Sequence, residues 1–129
     1  MFTLEQIKAA HAKTKSGADF PSYIREIKTF GVTFYETFVT DGHTDYYGYN
    51  GFKTSTLTKY AALHIADECD TIRFKAGLKE HQLGNTDYAN FTEMSAASGI
   101  EKWVVEMEKM TCAYYDRKGN EILIEKIPQ

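Results

Sequence analysis

Apolar residues recur along this chain with two different periods. In residues 1–30 they fall three and four apart: Leu4, Ile7 and His11 share one helical face, and Phe20, Tyr23, Ile24 and Ile27 share another. Thr3 with Gln6 three residues on has the form of a capping box, which predicts a first helix that fades at Ser16-Gly17. Pro21 suits the first turn of a second helix, where a missing N–H costs nothing, and Gly31 supplies its stop. The period then shortens to two. The run 32–40 (VTFYETFVT) is rich in β-branched and aromatic residues, Asp41-Gly42 reads as a turn, and 44–49 reads as the returning strand. Asn50-Gly51 marks a second turn and 52–58 a third strand, while 59–69 fits a short strand or a helix equally. Helical spacing returns over 70–83, capped by Asp70 or Thr71 and stopped by Gly84. It continues over 87–98, capped by Thr86 and closed by Gly99-Ile100. Three strands follow at 101–108, 110–116 and 121–127.

The order α-α-β-β-(β)-α-α-β-β-β keeps helices and hairpins in separate blocks. That favours an α+β fold with an antiparallel sheet of five to six strands and about four helices packed on it. The length of 129 residues fits one domain spanning 1–129 and is enough to bury a core without a disulfide or a metal.

Composition narrows the function classes. A net charge of −3 disfavours a broad basic surface, so no nucleic-acid partner is expected. Residues 32–50 carry Glu36, Asp41 and Asp45 and neither Lys nor Arg, which makes the first hairpin acidic as well as tyrosine-rich. No run approaches the roughly 18 apolar residues of a membrane span, and the N-terminal stretch lacks the form of a secretory signal. With Cys69 and Cys112 as the only cysteines and no CxxC, two free thiols in a reducing cytoplasm are expected. No spacing of a zinc, phosphate or nucleotide site is present, so no metal and no cofactor are expected.

Several stretches taken together carry a resemblance: residues 2–32 (FTLEQIKAAHAKTKSGADFPSYIREIKTFGV), YETFVTDGHTDYYG, HQLGNTDYANF, and 99–125 (GIEKWVVEMEKMTCAYYDRKGNEILIE). Their order and spacing resemble the YdfO/YbcV-like family of small enterobacterial, prophage-associated proteins, over nearly the whole chain. The resemblance implies one bacterial, prophage-linked α+β domain. It implies no activity and no catalytic residues, and the label "phage envelope protein" attached to some relatives implies no virion role here.

Candidate chemistry is sparse. Strand alternation puts Val32, Phe34, Glu36 and Phe38 on one face, so a covered face would desolvate the Glu36 carboxyl and suit it to acid–base work. A structural ion pair, or a solvated aromatic face, explains the same pattern. His81 and Asp87 flank Gly84 and serve first as capping groups, with a proton-transfer pair of His81 and Asp87 on one edge as the alternative. His11 suits a core histidine, and His43 is placed to contact Asp45. Cys112 reads as a small core hydrophobe, and Cys69, between Glu68 and Asp70, as a poor nucleophile. Tyr35, Tyr46, Tyr47, Tyr49, Trp103 and Tyr115 are candidates for a ligand or partner surface, since adjacent tyrosines on a strand must point to opposite faces. The activity is therefore unknown from sequence. The first expectation is an accessory protein that binds a protein or small ligand through the tyrosine-rich acidic hairpin. The alternatives are a small enzyme using Glu36 with His81 in a helix–sheet pocket, and a homo-oligomeric structural domain.

Overall fold

The computed structural model describes residues 1–15 and 17–128. Four helices and six strands follow in the order α1 (Leu4–Ala12), α2 (Phe20–Thr29), β1 (Phe34–Phe38), β2 (Thr44–Tyr47), β3 (Lys53–Ser55), α3 (Thr71–Gln82), α4 (Tyr88–Ala97), β4 (Ile100–Glu106), β5 (Thr111–Asp116) and β6 (Glu121–Lys126). The strands form one antiparallel sheet ordered β3-β2-β1-β4-β5-β6. It is an α+β fold, and each half of the chain supplies two helices and a three-stranded meander. The halves meet where β1 pairs with β4, Tyr35 opposite Val105 and Thr37 opposite Trp103.

Local chemistry explains most boundaries. Thr3 and Gln6 form the reciprocal capping box, with Thr3 Oγ1 accepting from the Gln6 N–H at 3.2 Å and Gln6 Oε1 from the Thr3 N–H at 2.8 Å. Asp70 caps α3 by accepting from the Arg73 N–H at 3.0 Å. The cap of α4 is Asp87, not Thr86: its carboxylate accepts from the Asn90 N–H at 2.7 Å, while the Thr86 hydroxyl turns to His81. A carboxylate at this position also meets the positive end of the helix dipole.

The segment 56–70 is neither helix nor strand. Its backbone bonds outward instead of to itself. Lys59 and Leu63 N–H groups donate to the Asp41 and Thr40 carbonyls, and those of Ala66 and Asp70 to the Ala96 and Ser98 carbonyls. Tyr60 Oη donates to the Val39 carbonyl at 2.6 Å and Ile65 is buried. These bonds lash the segment along α4 and the end of β1, which satisfies its polar groups without a regular element.

All four helices pack on one face of the sheet. Tyr23, Ile24 and Ile27 of α2 come down over Tyr46 and Tyr35, while Phe74 of α3 and Phe91 of α4 come down over Tyr114 and Trp103. Rings of Phe74 and Tyr114 lie 5.0 Å apart, and those of Phe91 and Trp103 5.7 Å apart. Burying each such side chain contributes about 1.5–3 kcal/mol. His11 is a correction to the expected core histidine. It is exposed on α1 and meets Tyr23 only edge-on, at 5.3 Å.

Gly99 joins α4 to β4 with φ +87°, and a Cβ there would stand 2.6 Å from the Glu68 carbonyl oxygen. Gly84 has a similar φ of +81° but open space around it. Replacing Gly84 by Ala should cost about 1–2 kcal/mol, the left-handed strain alone. Gly99→Ala should cost clearly more, because backbone must also move. Urea denaturation of the two variants measures the difference, and equal losses would contradict the close approach.

Candidate functional site

Directly paired residues on neighbouring strands share a face, so the register sorts every side chain. The helix-covered face carries Tyr46, Tyr35, Thr37, Trp103, Val105, Tyr114 and Cys112. The opposite face carries Tyr47, Asp45, Phe34, Glu36, Phe38, Lys102, Val104, Tyr115, Ala113 and Ile124. Among the described residues no helix covers this second face, and its chemistry differs sharply from the first.

On the covered face the tyrosines belong to the core. Tyr23, Tyr35, Tyr46 and Tyr114 are buried, and Tyr35 and Tyr46 lie 5.3 Å apart. Burial pushes the Tyr23, Tyr35 and Tyr114 phenols well above their ordinary range and raises that of Tyr46, and neighbouring hydroxyls add to it for Tyr23 and Tyr35. Burial likewise pushes the Cys112 thiol up to about 12. Both cysteines are free. Tyr35 and Tyr46, candidates for a binding surface on sequence grounds, are thus withdrawn from solvent. Trp103 is half-buried beneath Phe91.

The uncovered face is built on two stacked ring pairs and two lysines. Phe34 and Tyr47 stack across β1 and β2 at 4.3 Å and 9°, and Phe38 stacks on His43 at 4.5 Å and 8°. Lys102 from β4 reaches over β1, 3.5 Å from the Glu36 carboxylate, with its ammonium 5.8 Å from the Phe38 ring and 5.7 Å from Tyr115. Lys53 from β3 lies 3.7 Å from Asp45 and 5.6 Å from the Tyr47 ring. Asp45 is buried at the foot of this group and also accepts from the Ser55 hydroxyl at 2.6 Å.

His43 links the hairpin turn to the same face. Its Nδ1 lies 2.5 Å from the Asp41 carboxylate, which also accepts from the His43 N–H at 3.0 Å, and its Nε2 lies 3.8 Å from Asp45. Burial alone would raise the Asp41 pKa, but the hydrogen bonds from His43 outweigh it and hold the carboxyl below its usual range. The hairpin looked acidic in sequence because its neutralising cations come from elsewhere: Lys53 from the next strand and Lys102 from a distant one.

Glu36 and His81 are not brought together. Glu36 stands half-buried on the uncovered face, and His81 lies on the helix side, stacked on Phe91 at 4.4 Å with Nδ1 3.2 Å from the Thr86 hydroxyl. Two open hollows lie elsewhere. One, of about 170 Å³, lies between α1 and α2 beside Lys13, Tyr23 and Glu26. The other, of about 450 Å³, lies between α3 and β6 beside Lys75, Leu78, Lys79 and Leu123. Neither includes Glu36, Trp103 or His81. Among the described residues no group of three or more His, Cys, Asp and Glu side chains is arranged to hold a metal ion, and no helix is long and apolar enough to cross a membrane. Tyr47 and Tyr115 lie on the uncovered face, and Tyr49, just beyond β2, is strongly exposed. Lys53 and Lys102 were not singled out in the sequence. The pairing of Lys102 opposite both Phe38 and Tyr115 is what gives it its position.

Two outcomes follow for the covered face. A phenol whose pKa is raised by folding keeps its proton while the unfolded chain releases it near pH ~10. Stability is therefore intact at neutral pH and falls as the pH rises through that value, by up to about 1.4 kcal/mol per pH unit for each such phenol. Ultraviolet titration should show these tyrosines ionising in one step that coincides with loss of circular dichroism, and gradual ionisation of all nine tyrosines in the folded chain would contradict their burial. A thiol reagent at neutral pH should label half-buried Cys69 and reach Cys112 only after denaturation. Mass spectrometry identifies the labelled site.

No curated protein matches the chain. A family model described as "Protein of unknown function (DUF1398)" matches residues 8–126. That span takes in the second half of α1, helices α2 to α4 and all six strands, and the chain belongs to this uncharacterised family.

Proposed function

We propose that this is a binding protein, an accessory factor that engages another protein through the uncovered face of its sheet. The carrying observation is the one-sided packing. All four helices lie on one face, and the other presents Phe34, Tyr47, Phe38, His43 and Tyr115 with Lys53 and Lys102 between them. Rings held in stacked pairs lose little freedom on binding, and aromatic groups with a few fixed charges are what protein-recognition surfaces are made of. Glu36, Asp45 and Glu106 share the face and disfavour a phosphate backbone, which supports a protein partner over a nucleic acid. The resemblance to prophage-associated proteins supports a role in a bacterial cytoplasm, as do the two free thiols.

Photo-crosslinking tests this reading. A benzophenone side chain in place of Phe34 or Phe38, in cells that produce the chain, should give a discrete protein adduct. The same group at Ile72, exposed on α3, should not. Lys102→Glu should lower the adduct yield roughly tenfold, the effect of about 1.4 kcal/mol in affinity. Equal adducts from both faces, none from either, or adducts to nucleic acid would overturn the proposal.

A further inference from the structure

The two edges of the sheet are unequal. The β3 edge is three residues long and runs into the lashed segment 56–70. The β6 edge is six residues long, Glu121–Lys126, and carries Ile124 half-exposed at 50%. The Ile127 N–H donates to the Met110 carbonyl at 2.8 Å. Bonds to one neighbour recur at every second residue of an antiparallel strand, so Glu125 and Leu123 also face β5. The N–H and C=O groups of Ile124 and Lys126 point the other way, off the sheet, and have no backbone partner among the described residues. A long edge with free rungs and an apolar side chain is a template for another strand.

We infer that the occupant of this edge is β6 of a second copy of the chain, paired antiparallel about a two-fold axis that passes beside Ile124. The inference rests on edge geometry and is independent of the function proposed above. A two-fold pairing that keeps both sets of helices on one side allows only registers that shift two residues at a time in the sum of paired positions. Centring the axis on Glu125 sets two carboxylates directly opposite each other. Centring it on Lys126 sets two ammoniums opposite and brings Pro128, which has no N–H, against Ile124. With the axis at Ile124, the two Ile124 residues exchange both backbone bonds, Lys126 faces Ile122, and Glu125 faces Leu123. No like charges then stand opposite. Leu123 lines the hollow beneath α3 together with Lys75, Lys79 and Glu125, whose carboxylate accepts from the Gln82 amide at 2.9 Å, and neither lysine holds an ion pair among the described residues. The partner's Glu125, facing Leu123, adds a second carboxylate beside these two lysines.

This pairing extends the uncovered face. One row across the sheet runs Asp45, Glu36, Val104, Ala113, Ile124. Across the axis the same row continues in reverse, so the two faces become one continuous surface.

Analytical ultracentrifugation should show a concentration-dependent dimer of the full chain. Ile124→Lys should remove it, because two ammoniums would meet at the axis, while circular dichroism keeps the folded spectrum and the thermal midpoint loses its dependence on concentration. Ile124→Pro should do the same through the backbone, since the N–H lost is the outward one. A nitroxide on Ile124→Cys, with Cys69 changed to Ser, should show strong dipolar broadening, because paired Cα atoms at a hydrogen-bonded position lie roughly 5.5 Å apart. A strict monomer would overturn the inference, as would a dimer indifferent to both substitutions or one whose nitroxides do not interact.

Discussion

Two-residue alternation along β1 governs the rest of the molecule. Held between β2 and β4 at the centre of the sheet, β1 turns Tyr35 and Thr37 to the helices and Phe34, Glu36 and Phe38 away from them. Every other strand must copy that division, because paired residues share a face. A slip of one residue would carry Glu36 beneath the helices and Tyr35 into water, which ties the register of the whole sheet to this strand. The Thr37 and Thr44 hydroxyls, hydrogen-bonded at 2.9 Å on the covered side, show what the division costs and how it is met: a buried polar group there has a partner on the next strand.

The same alternation accounts for the split among the tyrosines. Tyr46 and Tyr47 are neighbours in sequence, yet one is packed under α2 with a raised pKa and the other is stacked on Phe34 at the surface. Tyr114 and Tyr115 divide likewise, between Phe74 on one side and Lys102 on the other. The tyrosines of the strands are therefore two populations. Those facing the helices fill space and keep their hydroxyls protonated. Those facing out are half-exposed rings steadied by cations, each contact worth about 0.5–1 kcal/mol.

Much of this was legible in the residues, and the illegible part has a physical pattern. The α1 cap and the stops could be read because they depend on near neighbours, Thr3 with Gln6 and the left-handed glycines at 31, 84 and 99; the α3 cap was narrowed to Asp70 or Thr71, and the α4 cap fell one residue early, on Thr86 instead of Asp87. Strand alternation correctly put Glu36 with Phe34 and Phe38. Which face the helices would cover was not readable, since that depends on α2 meeting Tyr46 and α4 meeting Trp103 from far along the chain. The covered-face reading of Glu36 and its pairing with His81 both hung on that choice. The ambiguity of 59–69 has a similar origin: its backbone bonds go to Thr40, Asp41 and Ala96, and no local period could announce them. His11 kept helical spacing with Leu4 and Ile7 but lies at the border of the stripe, where a small rotation leaves it in water.

Charge follows the same rule of distance. Glu36, Asp41 and Asp45 make a locally acidic segment, and each acquires a cation or a histidine only on folding: Lys102, His43 and Lys53. In such partly buried pairs the attraction is largely offset by the desolvation of the carboxylates, so they add little net stability. Their larger effect is positional. Lys102 sits across β1, β4 and β5 and fixes where a positive charge stands among the Phe38 and Tyr115 rings. A surface whose charges are held by the sheet and whose rings are held by stacking is organised before anything binds to it, and that lowers the entropy a partner must overcome. The proposed recognition of another protein rests on this breadth, fixed charge and accessible rings.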